Sequence, residues 1–210
     1  MDQYNFLLVD DDILLREGVS SLLSKEPFVA ELYEAGNFEQ FDMVMRTQKI
    51  DFILLDFRLK DVNGMELIEH VKTMNLEPKI IVLTGFESAE LVVNLLKAGI
   101  NGIVFKLDGY AAILSSIQSV IQSGFFSTEK IMKIIQQNAH RWDTIPPVVL
   151  TAIEKEILHA VADGLTTKET AARLRQPEST TETYRQRLLK KLGVVNAAGL
   201  IAYAYRNGLL

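Results

Sequence analysis

The first 125 residues alternate between short apolar runs and longer segments with helical spacing. Each run is followed by a stretch in which apolar residues recur every three or four positions, the period of an amphipathic helix. Strands this apolar need cover on both faces, and helices that connect parallel strands provide it. The alternation therefore predicts an α/β fold with a doubly wound, five-stranded parallel sheet. The five strand-like runs are NFLLVD (5–10), VAELYEA (29–35), IDFILLD (50–56), KIIVLT (79–84) and GIVFK (102–106).

A different pattern follows the fifth unit. STEKIMKIIQQNAHRW has the spacing of a helix with Ser127 as its N-cap, and two prolines in DTIPPVV mark a semi-rigid boundary. Beyond them there are only helical signals, in four short segments with glycine stops. We therefore divide the chain into residues 1–125, a linker helix and proline-containing linker at 126–148, and a small all-α domain of four helices at 149–210.

Charge differs between the two parts of the chain. Residues 1–147 hold 13 lysines and arginines against 21 acids, a net charge of −8, and residues 148–210 hold 9 against 6, a net charge of +3. An acidic first part and a mildly basic second part suggest different partners. The small positive excess permits nucleic acid binding without requiring it.

The composition also bears on the compartment. The chain has no cysteine, which excludes thiol catalysis and thiolate metal sites and fits a reducing cytoplasm. MDQYNFLLVDDD lacks the basic segment of a signal peptide. No uncharged apolar run approaches the roughly 20 residues of a membrane-spanning helix. We expect a cytoplasmic protein with no membrane partner.

Polar side chains stand where four of the predicted strands end. Three acids at 10–12 end the first strand, Asp56 ends the third, Thr84 the fourth and Lys106 the fifth. Because the carboxyl ends of parallel strands meet at one edge of a sheet, we expect these groups to lie together. Clustered carboxylates repel unless a cation neutralises them, and oxygen-only ligands favour Mg²⁺ or Mn²⁺. A carboxylate beside such a cation and a lysine can attack a phosphoryl donor.

Four segments, LLVDDDILLREG, ILLDFRLKDVNGMEL, IIVLTGF and GIVFK, resemble the receiver domain of bacterial two-component response regulators over about residues 3–124. The resemblance implies a histidine kinase as partner and no small-molecule substrate other than a phosphodonor. Such a domain takes part in its own phosphotransfer and is not an enzyme for other substrates. The implied roles are phosphorylation of Asp56, Mg²⁺ or Mn²⁺ binding by Asp10, Asp11, Asp56 and the backbone carbonyl of Arg58, and phosphotransfer support by Thr84 and Lys106.

Three positions depart from the receiver pattern. Lys60 stands where a proline is common, four residues after the acceptor, and Ile103 stands where an aromatic residue often reports phosphorylation. Leu107 follows the lysine where proline or aspartate is frequent. None of these changes removes a group needed for phosphorylation, but Ile103 puts the usual aromatic switch in doubt.

The last 61 residues, 150–210, contain LTAIEKEILHAVADGLTTKETAARL, STTETYRQRLLKKLGV and AYAYRNGLL, which resemble the helix-turn-helix domain of NarL/LuxR-type regulators. The resemblance implies promoter DNA and a homodimer as partners. The two helices of the motif are expected at Thr167–Arg175 and Thr180–Leu192, with the second in the major groove. The candidate DNA contacts are Lys168, Thr180, Glu182, Thr183, Arg185, Gln186, Arg187, Lys190 and Lys191.

Two residues of this domain leave its DNA binding open. The family commonly has lysine where Glu182 stands and arginine where Ala197 stands. Ser179 and Glu182 have the spacing of a capping box, which would give Glu182 a structural role. Glu182 would otherwise accept a hydrogen bond from cytosine, or DNA binding has been lost.

We predict a DNA-binding transcriptional response regulator, phosphorylated on Asp56 by a histidine kinase, in which phosphorylation controls dimerisation and promoter binding. One alternative is a regulator that acts through protein contacts with weak or lost DNA binding. Another is a Mg²⁺-dependent phosphohydrolase of the haloacid dehalogenase kind. That chemistry needs a second acid two residues after the first, where Arg58 stands.

Overall fold

The structure is a computed structural model that describes residues 2–85, 88–141, 150–206 and 209–210. The chain divides into two compact units. The first unit holds residues 1–87 and 102–116, and the second holds residues 88–101 and 117–210. The proline-containing segment DTIPPVV lies outside the described residues.

The first unit is built on a five-stranded sheet with the strand order β2-β1-β3-β4-β5. All neighbouring strands pair in parallel, which confirms the predicted fold class. The strands are β1 (Tyr4–Val9), β2 (Val29–Ala35), β3 (Phe52–Asp56), β4 (Lys79–Thr84) and β5 (Gly102–Phe105). The helices of this unit are α1 (Ile13–Leu23), α2 (Phe38–Thr47), α3 (Gly64–Thr73) and the start of α5 (Gly109–Ser123).

The core of the first unit explains the apolar runs. Strands β1, β3 and β4 lie inside the sheet and are buried along most of their length, whereas the edge strand β2 is largely half-exposed. Phe6 and Phe52 stack with ring centroids 4.9 Å apart, and Tyr4 meets Phe52 edge-on. Aromatic pairs of this kind add to the burial energy of their side chains.

The second unit is helical in the part of the chain that the structure describes. Its helices are α4 (Ala89–Lys97), the end of α5, α6 (Glu129–Gln137), a 3-10 turn at Ala139–Arg141, α7 (Ala152–Ala162), α8 (Thr167–Leu174), α9 (Glu178–Leu192) and α10 (Ala197–Arg206). Helices α7 to α10 confirm the predicted all-α arrangement. Their core includes Leu158, Leu188 and Tyr203, all fully or almost fully buried, so Tyr203 is a packing residue.

Side-chain caps fix the starts of several helices. Thr151 with Glu154 and Thr166 with Glu169 form capping boxes at α7 and α8, and both satisfy backbone donors that a helix leaves free. Helix α6 is capped by Thr128, whose side chain accepts a hydrogen bond from the Ile131 N–H. The prediction of Ser127 as this cap was wrong by one residue.

Gly64, at the start of α3, packs closely against the backbone of Phe57, the residue after Asp56. A Cβ on Gly64 would lie 3.0 Å from the Cα of Phe57 and 3.2 Å from its carbonyl oxygen. The Gly64 N–H donates to that same carbonyl at 2.8 Å. A side chain at position 64 therefore has to move backbone, which is costly.

We predict opposite effects from alanine at two glycines. Gly64→Ala should lower the free energy of unfolding by about 1–3 kcal/mol, the usual cost of overpacking. Gly18→Ala is the control, because Gly18 lies within α1 with nothing within 4 Å of an added Cβ, and alanine there should stabilise by about 0.5–1 kcal/mol. Urea unfolding measures both changes. Equal midpoints for Gly64→Ala and the wild type would show that the loop has room to adjust.

Candidate functional site

Three carboxylates meet at one edge of the sheet. Asp10 and Asp11 directly follow β1, and Asp56 ends the neighbouring strand β3. Carboxylate oxygens of the three residues lie within 4.8 Å of one another, and Asp10 and Asp56 are buried. Oxygen donors at this density suit a hard divalent cation. The sequence prediction that these acids come together is therefore met by the geometry.

Lys106 supplies positive charge inside the cluster. Its Nζ lies 2.9 Å from Asp10 Oδ2 and 3.0 Å from Asp56 Oδ2. Burial lowers the pKa of Lys106, but its hydrogen bonds to Asp10 and Asp56 and their charges outweigh burial and raise the pKa overall. The ammonium group is therefore held in its charged form between the two carboxylates.

Burial is the largest influence on Asp56. It raises the pKa of the Asp56 carboxyl above its usual value, the charge of Asp10 adds to this, and the hydrogen bond from Lys106 opposes it. The Arg58 N–H also donates to Asp56 Oδ1 at 3.3 Å. A bound divalent cation would favour the ionised carboxylate that nucleophilic attack requires.

Thr84 and Asp12 complete this edge of the sheet in different ways. Thr84 is the buried last residue of β4 and pairs in register with Phe105, while Asp56 pairs with Leu83. Thr84 therefore comes one residue after Leu83, the partner of Asp56. Its own partner, Phe105, is the residue before Lys106. Asp12 caps α1 by accepting from two backbone N–H groups of its first turn, so its carboxylate has a structural role.

Two cations near the cluster were not found from the sequence. The Nη1 of Arg16 donates to the Asp10 carbonyl oxygen at 2.5 Å, and its Nε lies 3.1 Å from Glu34 Oε2. Lys60 Nζ lies 3.4 Å from Asp11 Oδ2, although its side chain is 85% exposed. The sequence does contain a signal for Arg16, because it is the one positively charged residue in ILLREGVSSLLS, the helical segment that directly follows the three acids at 10–12.

The capping box predicted for the recognition helix is wrong. Helix α9 begins at Glu178 with Pro177 as its N-cap, so Ser179 already lies inside the first turn. Glu182 instead accepts from Gln186 Nε2 at 2.8 Å and from Thr167 Oγ1 at 3.4 Å. Because Thr167 begins α8, Glu182 links the two helices of the motif.

The nine candidate DNA contacts fall into different environments. Lys191 is held by Glu154 of α7 at 2.7 Å, and Thr180 is half-buried. Arg185 lines a cavity of about 210 Å³ with residues of α5, α6 and α10, and burial lowers the pKa of its guanidinium while Glu182 opposes this. Six of the nine are exposed, Lys191 among them in spite of its ion pair; the other five are Lys168, Thr183, Gln186, Arg187 and Lys190.

The N-terminus of α10 is tied to the end of α4 within the second unit. The buried Asn196 donates its side-chain N–H groups to the carbonyls of Leu96 at 2.9 Å and Ile100 at 3.2 Å. Its Oδ1 accepts from Gly199 N–H, which caps α10. The next residue, Ala197, is 3% exposed, so this position is buried within the second unit rather than available for a DNA contact.

Comparison with protein-family models identifies the class of protein. A model of the response regulator receiver domain matches residues 6–118, and one of bacterial regulatory proteins of the luxR family matches residues 148–204. The chain therefore belongs to the two-component response regulators with a LuxR-type DNA-binding domain. This assignment rules out the phosphohydrolase alternative.

Among the residues that the structure describes, no helix is both long and apolar enough to cross a membrane.

Curated relatives and solved structures agree with this class. The nitrate/nitrite response regulator protein NarL of Escherichia coli (strain K12) is 31% identical over 189 residues, 89% of this chain and 88% of that protein. NarP of the same organism is 28% identical over 207 residues, 98% and 96% of the two chains. The response regulator RcsB in a complex with DNA has a TM-score of 0.61 at 21% identity, covering 96% of this chain and 98% of that chain. The last likeness shows the fold alone.

Proposed function

We propose that this response regulator is phosphorylated on Asp56 by a histidine kinase in a Mg²⁺-dependent reaction, and that phosphorylation controls dimerisation and promoter binding. In this proposal residues 1–125 are the receiver, 126–148 the linker and 149–210 the DNA-binding domain. The observation that carries it is the cluster of Asp10, Asp11 and Asp56, of which Asp10 and Asp56 are buried. The family explains why such a cluster is joined to a LuxR-type domain.

The proposed phosphotransfer step uses the groups at this edge of the sheet. A carboxylate oxygen of Asp56 attacks the phosphorus of the donor, the bond to the leaving group breaks, and an acyl phosphate forms on Asp56. Mg²⁺ held by the three acids and the Arg58 carbonyl would neutralise charge on the transferring phosphoryl group. Lys106 and Thr84, at the ends of β5 and β4, would bind its oxygens.

Exposed apolar side chains beside the site support a protein as phosphodonor. Ile13 and Leu14 start α1 and are 61% and 81% exposed, and Leu107 directly follows Lys106 and is 90% exposed. Large exposed apolar residues that directly follow the acids at 10–12 and Lys106 in the sequence suit contact with a partner protein. A histidine kinase that presents its phosphohistidine to Asp56 would cover them.

We predict that a small phosphodonor labels Asp56 alone. With acetyl phosphate and Mg²⁺, Asp56→Asn should abolish phosphorylation, and Asp11→Ala should reduce its rate at least about tenfold, as expected for loss of a metal ligand. Intact-protein mass spectrometry gives the phosphorylated fraction. Glu31→Gln, an exposed acid on β2, is the control and should behave like the wild type. Undiminished labelling of Asp56→Asn would place the acceptor elsewhere.

DNA binding is proposed for the exposed face of α9. Gln186, Arg187 and Lys190 lie on this helix, with Lys168 exposed on α8. Arginine and lysine contacts to phosphates position a recognition helix in the major groove without reading sequence. Two-fold dimers match palindromic half-sites, and RcsB, of similar fold, has been solved in a complex with DNA.

We predict that Arg187→Ala and Lys190→Ala weaken binding to all duplexes alike. Each change should lower the slope of log affinity against log salt concentration by about 1, because one phosphate contact is lost. Fluorescence anisotropy with a mixed-sequence duplex at several salt concentrations measures the slope. Lys25→Ala removes the same charge from an exposed position in the first unit and should leave it unchanged. A wild type without affinity for any duplex, phosphorylated or not, would favour regulation through protein contacts.

Control of DNA binding is proposed to pass through α4 and α10. Helix α4 lies between Thr84 and Lys106 in the sequence, and Asn196 ties its carboxyl end to the start of α10. Arg185 of α9 lines the cavity beside α10. A shift of α4 on phosphorylation would break the Asn196 hydrogen bonds and free α10 for a second subunit, so that two exposed α9 faces could bind one DNA duplex.

We predict that Asn196→Asp mimics this release. Aspartate caps α10 as well as asparagine does, but it cannot donate to the Leu96 and Ile100 carbonyls. The loss should favour the released form by about 1–2 kcal/mol, so the unphosphorylated variant should bind DNA more tightly than the unphosphorylated wild type in an anisotropy titration. Asn37→Asp, at the N-cap of α2, is the matched control for capping and charge. Unchanged DNA affinity of Asn196→Asp would contradict a restraining role for this contact.

A further inference from the structure

Arg16 contacts the backbone of the acidic cluster rather than its carboxylates. Its Nη1 donates to the Asp10 carbonyl oxygen at 2.5 Å. This carbonyl belongs to the peptide that joins Asp10 to Asp11, so the contact fixes the plane of that peptide. The orientation of this plane determines where the Cα of Asp11 lies relative to Asp10, and with it the separation of their carboxylates.

Other hydrogen bonds hold the N–H and the carboxylate of Asp10, but they do not involve its carbonyl. The Asp10 N–H pairs with Ala35 in the β1–β2 ladder at 3.0 Å. One carboxylate oxygen of Asp10 accepts from the Asp12 N–H, and the other accepts from Lys106 Nζ, both at 2.9 Å. Among the residues that the structure describes, Arg16 supplies the hydrogen bond to the Asp10 carbonyl.

Arg16 is itself held in place on its other side. Its Nε lies 3.1 Å from Glu34 Oε2, and its side chain is 16% exposed. Gly36 leaves the space that the guanidinium fills, since a Cβ there would lie 2.9 Å from Arg16 Nη1. A bound side chain in a fitted space loses little entropy when it makes its second hydrogen bond.

We infer that Arg16 is a positioning residue for the metal site, which sets the Asp10–Asp11 peptide so that both carboxylates are arranged to bind Mg²⁺. The inference rests on the proposed function of the cluster as a Mg²⁺ site. Arg16 touches neither the cation nor the phosphoryl group. It acts through the backbone, as groups behind a metal ligand commonly do.

Lys60 provides the contrast that separates position from charge. It is a second cation beside the cluster, but it contacts the Asp11 carboxylate from an exposed position at 3.4 Å. If charge alone mattered, removing either cation would make the acids bind Mg²⁺ more tightly. A positioning role for Arg16 predicts instead that removing Arg16 weakens Mg²⁺ binding. Removing Lys60 would still not weaken it.

The experiment is a Mg²⁺ titration of the full chain by isothermal calorimetry, with thermal unfolding to confirm that each variant is folded. Arg16→Gln should weaken Mg²⁺ binding about tenfold, the lower end of what loss of a supporting group costs. Lys60→Gln should leave it unchanged or tighten it by up to about fivefold, as expected for an exposed ion pair. Arg16→Lys should recover part of the loss, because an ammonium group can still donate to one of the two acceptors.

Phosphorylation by acetyl phosphate adds a second readout. At saturating Mg²⁺ the rate for Arg16→Gln should approach that of the wild type, because the reacting groups are intact. If Arg16→Gln does not fold, Gly36→Ala takes its place, since its methyl group displaces the guanidinium while the charge remains. Gly36→Ala should weaken Mg²⁺ binding, as Arg16→Gln does.

The outcomes are distinct. The inference is overturned if Arg16→Gln binds Mg²⁺ as tightly as the wild type or more tightly. The same holds for Gly36→Ala if Arg16→Gln does not fold. A wild type that binds no Mg²⁺ overturns both the inference and the proposed function. A wild type that binds Mg²⁺ and is never phosphorylated, with Arg16→Gln weaker, overturns the proposed function and supports the positioning role.

Discussion

The ammonium group of Lys106, between Asp10 and Asp56, is the interaction on which the candidate site depends. Two buried carboxylates side by side would repel each other and lose hydration, and both effects favour their neutral forms. The raised pKa of Asp56 shows that burial remains the larger influence even with Lys106 present. The sheet edge is therefore a place where negative charge is concentrated and only partly compensated, which suits it to a divalent cation and a reactive carboxylate.

The backbone around these acids is held as firmly as their side chains. Arg16 binds the carbonyl of Asp10, the Asp12 N–H binds its carboxylate, and Ala35 in the β1–β2 ladder binds its N–H. Metal affinity depends on such supporting contacts because a ligand that is free to turn must be ordered when the metal binds. In the second unit, Asn196 has a comparable role, since one side chain caps α10 and binds two carbonyls at the end of α4.

Sequence patterns predicted the sheet and most of its site because both follow from order along the chain. Asp10, Asp56, Thr84 and Lys106 each stand where a strand ends, and a parallel sheet brings such ends together. The patterns failed where two local rules competed. Ser179 and Glu182 have capping-box spacing, but α9 starts at Glu178, and Glu182 bonds to Thr167 and Gln186 instead.

The sequence by itself determined the α/β class, the all-α tail, the acidic edge and the family resemblance, because these depend on periodicity and on residue types at element ends. Tertiary structure alone decided which cation supports which acid. Arg16, in the first turn of α1, contacts the Asp10 carbonyl after β1 and the Glu34 carboxylate on β2, two strands that pair in the sheet. It likewise decided that Arg185 lines a cavity and Lys191 pairs with Glu154, while Arg187 and Lys190 stay exposed. All four are basic residues of one helix, and their environments differ because their neighbours come from distant parts of the chain.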